Sequence, residues 1–315
     1  MCLRLESVRH PCLFHHRPGL PGPVRFSRHW YAGGRRHSLF TAFGCHAHRG
    51  TVQHRRLFAD LPTPCYVLDE AQLRRNGEIL AGVAQRTGAK ILLAQKAFSN
   101  FNLYPVLAPY LAGTEASGLY EARLGREEMP EGETHVFCAA YREEEFDELL
   151  QYADHIVFNS PRQLERFGPA ARAAGKSVGL RINPECSTQE GHEIYDPCAP
   201  GSRLGTTRAQ WDAHMTPSLV ELLDGLHFHT LCEQDSDALE TTLDAVAKKF
   251  GDILPNMKWL NFGGGHHITR PEMLSAITAL THRCGRAIAW CSATWRSTPP
   301  VKTTLSTGCL CPLSG

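Results

Sequence analysis

A lysine at the end of an apolar run is the first residue of this sequence that could carry chemistry. Residues 91–94 are apolar and lead through Gln95 to Lys96. Such a run is typical of a strand buried on both faces, as in a parallel sheet. An amine at the carboxyl end of such a strand loses water and can reach a bound ligand, which is the setting of a Schiff-base lysine. A surface lysine just past a core strand is the alternative for this stretch alone.

Two histidines flank an aromatic residue in the stretch GLHFHTLCEQ. Because side chains alternate along a strand, His227 and His229 share one face and could both reach a site at the strand's end. A pair of histidines at this spacing could begin a metal site, although further ligands would be needed. Histidines satisfied within a polar barrel interior are the alternative.

Three consecutive glycines, Gly263, Gly264 and Gly265, follow an apolar stretch in LNFGGGHHITR. Their backbone N–H groups could close on a phosphate, whereas a tight turn explains one or two of the three. Arg181 ends a predicted strand in GLRINPE, where an unpaired charge would be costly. It should therefore pair with a ligand or an acid, and a structural salt bridge is equally compatible. The lysine, the glycine run and a histidine that can stack on a ring together indicate pyridoxal phosphate (PLP).

Short apolar strands alternate with helices through the middle of the chain and would position these residues. Helices are predicted at 70–86, 103–111, 121–124 and 236–250, and another begins at the cap Ser160, with Gln163 in the capping-box position. This alternation favours parallel strands with crossover helices, as in a TIM-type (β/α)8 barrel with about seven of its eight strands present. The predicted strands contain Leu92, Ala116, Phe137, Val157, Leu180, Phe228 and Asn261.

Composition separates both ends of the chain from this region. Residues 1–57 hold ten Arg, eight His, no Lys and one acid, Glu6. This composition fits a transit peptide, but prolines interrupt it, so we expect a disordered or non-native extension. No acidic residue follows Glu272 in the last 43 positions, and we expect 275–315 to be an unrelated tail rather than a domain. The predicted barrel domain is therefore 58–274.

Charge and cysteine content exclude several classes of protein. The net charge of +1 gives no reason to expect a nucleic-acid partner, and no apolar run is long enough to cross a membrane. The N-terminus lacks the apolar core of a secretory signal. The twelve cysteines form no CxxC pair, so we expect reduced thiols in a cytoplasmic protein.

Eight stretches resemble the carboxynorspermidine/carboxyspermidine decarboxylases, a family within the alanine-racemase-fold group of PLP decarboxylases. They are LPTPCYVLDE, LLAQKAF, ASGLYEARLG, AYREEEFDELL, GLRINPE, YDPCAPGSRLG, GLHFHTLCEQ and LNFGGGHHITR. The resemblance covers about 58–274. HFHTLCEQ and GGGHHITR distinguish this family from ornithine decarboxylases, which carry other residues there.

The resemblance implies a barrel of PLP fold type III, a small carboxylated triamine as substrate, a homodimer, and norspermidine or spermidine plus CO2 as products. It implies that Lys96 forms the imine with PLP, that His229 stacks on its ring and that Arg181 lies beside it. Gly263, Gly264, Gly265 and Cys232 would lie at the phosphate. Gln95 departs from the family pattern, because the family usually has an apolar residue before the lysine. A polar neighbour would change how Lys96 is desolvated.

Two features of the family do not occur in this sequence. One is the E-P-G motif of the eighth strand, whose acid pairs with the pyridinium nitrogen, and the other is the C-terminal β-domain. We therefore expect an open barrel edge, weak PLP binding, little decarboxylase activity and a doubtful dimer. Two alternatives are a non-catalytic PLP-binding barrel and a metal-dependent barrel hydrolase. The hydrolase would bind its metal through His227, His229, His266 and His267, but the sequence lacks convincing carboxylate ligands for it. The PLP interpretation needs no metal.

Overall fold

The computed structural model describes residues 2–5, 66–189, 196–232, 234–267, 293–294 and 306–310. The chain divides into two compact units, one of residues 1–73 and 297–302, the other of residues 74–296 and 303–315. In the first unit, β1 (Cys2–Leu5) pairs in parallel with β2 (Tyr66–Asp69). The β1 strand was not predicted, and the rest of the predicted 1–57 extension lies outside the described residues.

Seven parallel strands form the sheet of the second unit, and each pairs with the next one along the chain. They coincide with the seven predicted strands, except that the sixth ends one residue before Phe228. This confirms the predicted α/β barrel architecture. The strands are β3 (Lys90–Ala94), β4 (Gly113–Ala116), β5 (Glu133–Phe137), β6 (His155–Phe158), β7 (Ser177–Arg181), β8 (Gly225–His227) and β9 (Trp259–Asn261).

Three further strands follow β9 in the described residues. The first two, β10 (His266–His267) and β11 (Ala293–Thr294), pair with each other in parallel. The third, β12 (Ser306–Leu310), lies between β3 and β9, antiparallel to both, and closes the barrel. The expectation of an open barrel edge was therefore wrong. The unpaired N–H and C=O groups at the two edges are satisfied by any extended segment, so a tail unlike the family's eighth strand can close the sheet.

Helices connect the strands along the chain, as the alternating pattern predicts. The segment predicted as one helix at 103–111 is a single α-helical turn between two 3-10 turns. Pro109 accounts for this, because it lacks the N–H that would continue an α-helix. The helices are α1 (Glu70–Thr87), α2 (Tyr104–Leu107), α3 (Leu119–Glu128), α4 (Glu143–Tyr152), α5 (Pro161–Ala173), α6 (Arg208–His214), α7 (Pro217–Val220) and α8 (Ser236–Phe250).

The start of α5 confirms the predicted cap only in part. The Ser160 hydroxyl accepts a hydrogen bond from the Gln163 backbone N–H at 3.3 Å. The Gln163 side chain, however, accepts from the backbone N–H of Asn159 at 3.0 Å, one residue before the cap. Both interactions still satisfy N–H groups at the helix entrance, which fixes where α5 begins.

An aromatic cluster packs α4 and α5 against the sheet. The ring of Phe146 in α4 lies 4.6 Å from that of Phe167 in α5 and 6.2 Å from that of Phe158 in β6, measured between centroids. The hydroxyl of Tyr141 donates to the Val157 carbonyl at 2.8 Å and ties this cluster to the strand. The cluster therefore buries one face of α4.

The sequence analysis also expected no membrane-spanning segment and reduced cysteine thiols. None of the helices described there is both long and apolar enough to cross a membrane. Cys138, Cys186, Cys198 and Cys232 carry free thiols, as predicted for these four.

Candidate active site

Lys96 lies on a turn directly after β3, at the carboxyl end of the barrel, as predicted, but it is exposed rather than withdrawn from water as the sequence analysis expected. The backbone N–H groups of Ala97 and Phe98 both donate to the Ala94 carbonyl, at 3.1 and 3.3 Å, and these bonds close the turn. The carboxyl ends of parallel strands are where barrel enzymes place their reacting groups. The position of Lys96 is therefore compatible with the predicted imine, which stays a prediction.

Gln95, the departure from the family pattern, is buried and directed toward the helices. Its Nε2 donates to the Glu121 carbonyl at 2.7 Å, and its Oε1 accepts from the Tyr104 hydroxyl at 3.2 Å. Its backbone N–H donates to the Glu115 carbonyl at 3.0 Å. The polarity of Gln95 is thus used in α2 and α3 contacts, and it fixes the backbone that carries Lys96.

Glu115 in β4 is a buried acid that the sequence analysis did not single out. Burial raises the pKa of its carboxyl to about 7, although the nearby Lys96 ammonium acts in the opposite direction. Arg181 also lowers this pKa, so both cations are close enough to attract the carboxylate. The available signal was an acid between Thr114 and Ala116, inside the predicted strand next to that of Lys96.

Arg181 is buried at the end of β7. Its Nη2 donates to the His229 backbone carbonyl at 3.0 Å, and its guanidinium lies 4.7 Å from the centroid of the Phe137 ring. Burial lowers the pKa of this guanidinium to about 10, while Glu115 has a smaller opposite effect. The sequence predicted an acid or a ligand as the partner of Arg181, and the acid Glu115 interacts with it only at longer range. The direct hydrogen bond of Arg181 instead fixes the loop that bears His229.

The two histidines near β8 lie in different surroundings. His227 is buried, with its ring centroid 5.3 Å from that of Phe137 and 6.4 Å from that of His229. Burial lowers the pKa of His227 well below its usual value, so its imidazole is neutral. His229 is half-buried and follows the strand. His227 therefore has the interior role that the sequence left open, and His229 is the one with access to a ligand.

The glycine run packs against the loop that follows β8. Gly263 has φ +66°, and a Cβ there would lie 2.3 Å from the Phe228 carbonyl oxygen. Gly265 has φ +93°, and a Cβ there would lie 2.1 Å from the Leu231 carbonyl oxygen. Positive φ and this close approach both require glycine. Backbone packing thus accounts for two of the three glycines, and phosphate binding by the run stays a prediction.

These contacts bring most of the predicted site residues together. Arg181 binds the His229 carbonyl, and Gly263 and Gly265 approach the backbone of His229 and Cys232. Cys232 is exposed at the end of this loop, and Gly264 is buried within the run. Lys96 joins the group through its electrostatic interaction with Glu115.

The metal-dependent hydrolase has no support among the described side chains. Within them, the converging set of possible metal ligands is Glu133, His135 and His155, which includes neither His227 nor His229. The side chains of His266 and His267, its other proposed ligands, lie outside the described residues.

A separate cavity of about 370 Å³ opens between α3 and α4. Its lining includes Glu121 and Glu145, but the Glu121 carboxylate accepts from the Ser117 backbone N–H and the Glu145 carboxylate from Arg142. Lys96 and the glycine run do not line it. The cavity is therefore distinct from the residue group around Lys96.

Known structures define the class of this barrel. No protein-family model matches the chain. A diaminopimelate decarboxylase structure from Helicobacter pylori, complexed with L-lysine, superposes with a TM-score of 0.60 over 76% of this chain and 65% of that one, at 15% identity. A carboxynorspermidine decarboxylase structure from Campylobacter jejuni, complexed with norspermidine, gives a TM-score of 0.64 over 73% of this chain and 59% of that one, at 37% identity. The fold is thus the alanine-racemase-type barrel of these decarboxylases.

Sequence relatives narrow the class. The chain is 42% identical over 213 residues to a carboxynorspermidine/carboxyspermidine decarboxylase of Campylobacter jejuni, and 36% identical over 212 residues to one of Herminiimonas arsenicoxydans. It is 40% identical over 211 residues to a carboxyaminopropylagmatine decarboxylase of Synechocystis. These matches cover 67–68% of this chain and 53–56% of the relatives, so the chain spans about half their length. Its matched segment is homologous to the carboxynorspermidine/carboxyspermidine decarboxylases, which confirms the resemblance stated from the motifs.

Proposed function

We propose that this chain is the barrel portion of a PLP-dependent decarboxylase of polyamine biosynthesis. The reaction would remove the carboxylate of carboxynorspermidine or carboxyspermidine as CO2 and release norspermidine or spermidine. The observation that carries the proposal is the exposed amine of Lys96 at the end of β3, beside the group formed by Arg181, His229 and the glycine run. The relatives at 36–42% identity support the substrate class.

The residues at the carboxyl end of the barrel fit a phosphorylated aldehyde. Lys96 would supply the amine, the half-buried ring of His229 a stacking surface, and the backbone of 263–265 with Cys232 the phosphate contacts. When bound, PLP supplies the electron sink that a decarboxylation at the carbon bearing the amine requires. Arg181 holds the His229 loop through its hydrogen bond to that residue's carbonyl.

Glu115 gives the proposed site a proton-exchanging group at neutral pH. Its pKa of about 7 means that its carboxyl is partly protonated near pH 7, and Lys96 lies within electrostatic reach. A carboxyl of this pKa can take up or release a proton at the pH at which the lysine would react. A neutral amine is the form that can attack an aldehyde.

We expect weak PLP binding and slow turnover from residues 1–315 when this polypeptide is tested by itself. In the proposed enzyme, the E-P-G acid would pair with the pyridinium nitrogen, and no such motif occurs in the printed sequence.

The position of β12 favours a second candidate function, a PLP-binding barrel without catalysis. Such a protein needs a closed barrel, and β12 closes this one although it is antiparallel to its neighbours. The two candidates share Lys96 and the phosphate contacts and differ in turnover.

A decarboxylation assay separates the candidates. The chain, supplied with PLP, is incubated with carboxynorspermidine, carboxyspermidine or carboxyaminopropylagmatine, and CO2 release is measured beside the Lys96→Ala variant. Release of CO2 by the wild-type chain and not by the variant supports the decarboxylase, and the preferred substrate identifies the triamine. Stoichiometric PLP binding without CO2 release from any of the three supports the non-catalytic barrel.

A further inference from the structure

Three possible metal ligands meet at the end of the barrel opposite Lys96. Glu133 and His155 are the first residues of β5 and β6, and the amino ends of parallel strands gather at the same edge. His135 lies two residues after Glu133, so the two side chains share one face of β5. In the sheet register His135 is opposite His155.

Two distances within this group bracket the ligand spacing of a metal coordination sphere. The Glu133 Oε2 lies 2.9 Å from His135 Nε2 and 3.9 Å from His155 Nε2. The imidazole rings are stacked, with centroids 3.9 Å apart and planes inclined by 15°. Zinc bonds of about 2.0–2.1 Å in a tetrahedral site place ligand atoms about 3.3 Å apart, which lies between the two measured distances. Because the two rings are nearly parallel, their Nε2 lone pairs do not converge on one point, so binding an ion would require the His155 ring to rotate toward Glu133.

Burial and hydrogen bonding show a site that is open on one side and incomplete. The side chain of His135 is 1% exposed, that of His155 17% and that of Glu133 31%, so an ion could enter past the outer two. His155 Nδ1, the ring nitrogen that would not bind the ion, is buried and has no hydrogen-bond partner within the described part of the chain, so no acceptor there holds this ring in place. The other oxygen of Glu133 accepts from the Lys90 ammonium, whose positive charge therefore lies beside the proposed ion.

We propose that Glu133, His135 and His155 bind a zinc ion at the amino end of the barrel, separate from the site around Lys96. Two imidazoles and one carboxylate favour zinc over magnesium or calcium, which prefer oxygen ligands alone. A water molecule would take the fourth position. The ion would link β5 to β6 and replace the hydrogen bond between His135 and Glu133. A polar cluster that needs no ion is the alternative.

Zinc binding is tested on the full-length chain after treatment with a chelator. The chain has twelve cysteines and 17 histidines, so the informative quantity is the difference in zinc content between variants after equilibrium dialysis. We expect wild type to hold one zinc ion more than His155→Ala or Glu133→Gln. The control His214→Ala, at an exposed histidine of α6, should match wild type. Loss of a direct ligand should weaken this site by at least about 100-fold, since loss of a supporting residue alone costs 10–100-fold.

Cobalt substitution and a second variant complete the test. Co²⁺ in this site should give visible bands without the charge-transfer bands of thiolate ligands, and His155→Ala should lose them. Lys90→Met removes a positive charge beside Glu133 and should tighten zinc binding by about two- to fivefold, which tests the site even where His155→Ala fails to fold. Equal zinc content in wild type, His155→Ala and Glu133→Gln overturns the proposal, as does weaker binding by Lys90→Met.

Discussion

Replacing Glu115 with glutamine keeps the shape of a buried side chain and removes its ionisation. Burial raises the folded-state pKa of this carboxyl from 4.5 to about 7. A group whose pKa is raised on folding supports the folded state fully below its unfolded pKa and loses that support as pH rises through the folded value. The wild-type chain should therefore lose stability between about pH 4.5 and pH 7 through Glu115, and the Glu115→Gln variant should not.

The size of the effect follows from the shift in the pKa. The difference between 4.5 and about 7 corresponds to about 3 kcal/mol, since one pKa unit is about 1.4 kcal/mol. The free energy of unfolding of Glu115→Gln should rise relative to wild type by about 3 kcal/mol from about pH 4.5 to about pH 8. For a domain of this size that is a gain in Tm of about 6–12 °C.

Urea titrations of both proteins at a series of pH values measure this difference. Comparing the variant with wild type at each pH cancels the contributions of all other titrating groups. Glu148→Gln serves as the matched control, because Glu148 is exposed on α4 and its replacement should leave the pH profile unchanged. Parallel profiles for Glu115→Gln and wild type would refute the idea that burial keeps this carboxyl protonated near neutrality.

Two further substitutions test how the site is built. Gly263→Ala should lower the free energy of unfolding by about 1–3 kcal/mol, because φ is +66° and a Cβ would collide with the preceding loop. Thermal unfolding measures this loss. The control Gly118→Ala has open space around the new Cβ and should change stability little. Arg181→Met should weaken PLP binding by about tenfold to 100-fold, because it removes the donor that holds the His229 carbonyl. A fluorescence titration with PLP measures this, with Arg162→Met, at an exposed arginine, as control. Unchanged stability of Gly263→Ala, or unchanged PLP affinity of Arg181→Met, would contradict the described geometry.

The strands and the carboxyl-end residues were predictable because each is encoded locally. Apolar runs identify the buried strands, and Lys96 and Arg181 are recognisable because each charged residue follows or ends such a run. The preference of alternating strands and helices for parallel pairing then brings the strand ends together. Predicting that the strand ends meet therefore requires no knowledge of contacts between distant residues.

The features that were missed depend on contacts between distant parts of the chain. The ordering of β12 beside β3 depends on two free sheet edges, and nothing in the composition of the tail reveals it. The interactions of Glu115 with Lys96 and Arg181 require the packed barrel. Glu133 and His155 are far apart in sequence and meet only through the register of β5 and β6.

The most direct test of the proposed PLP site is to find whether PLP reacts with Lys96. The chain is incubated with PLP, reduced with borohydride, digested and analysed by mass spectrometry. We expect the reduced adduct on the peptide that contains Lys96, its loss in Lys96→Ala, and its retention in Lys248→Ala, a change at an exposed lysine of α8. An adduct that persists in Lys96→Ala at the wild-type level, or no adduct at Lys96 in the wild-type chain, would contradict the account.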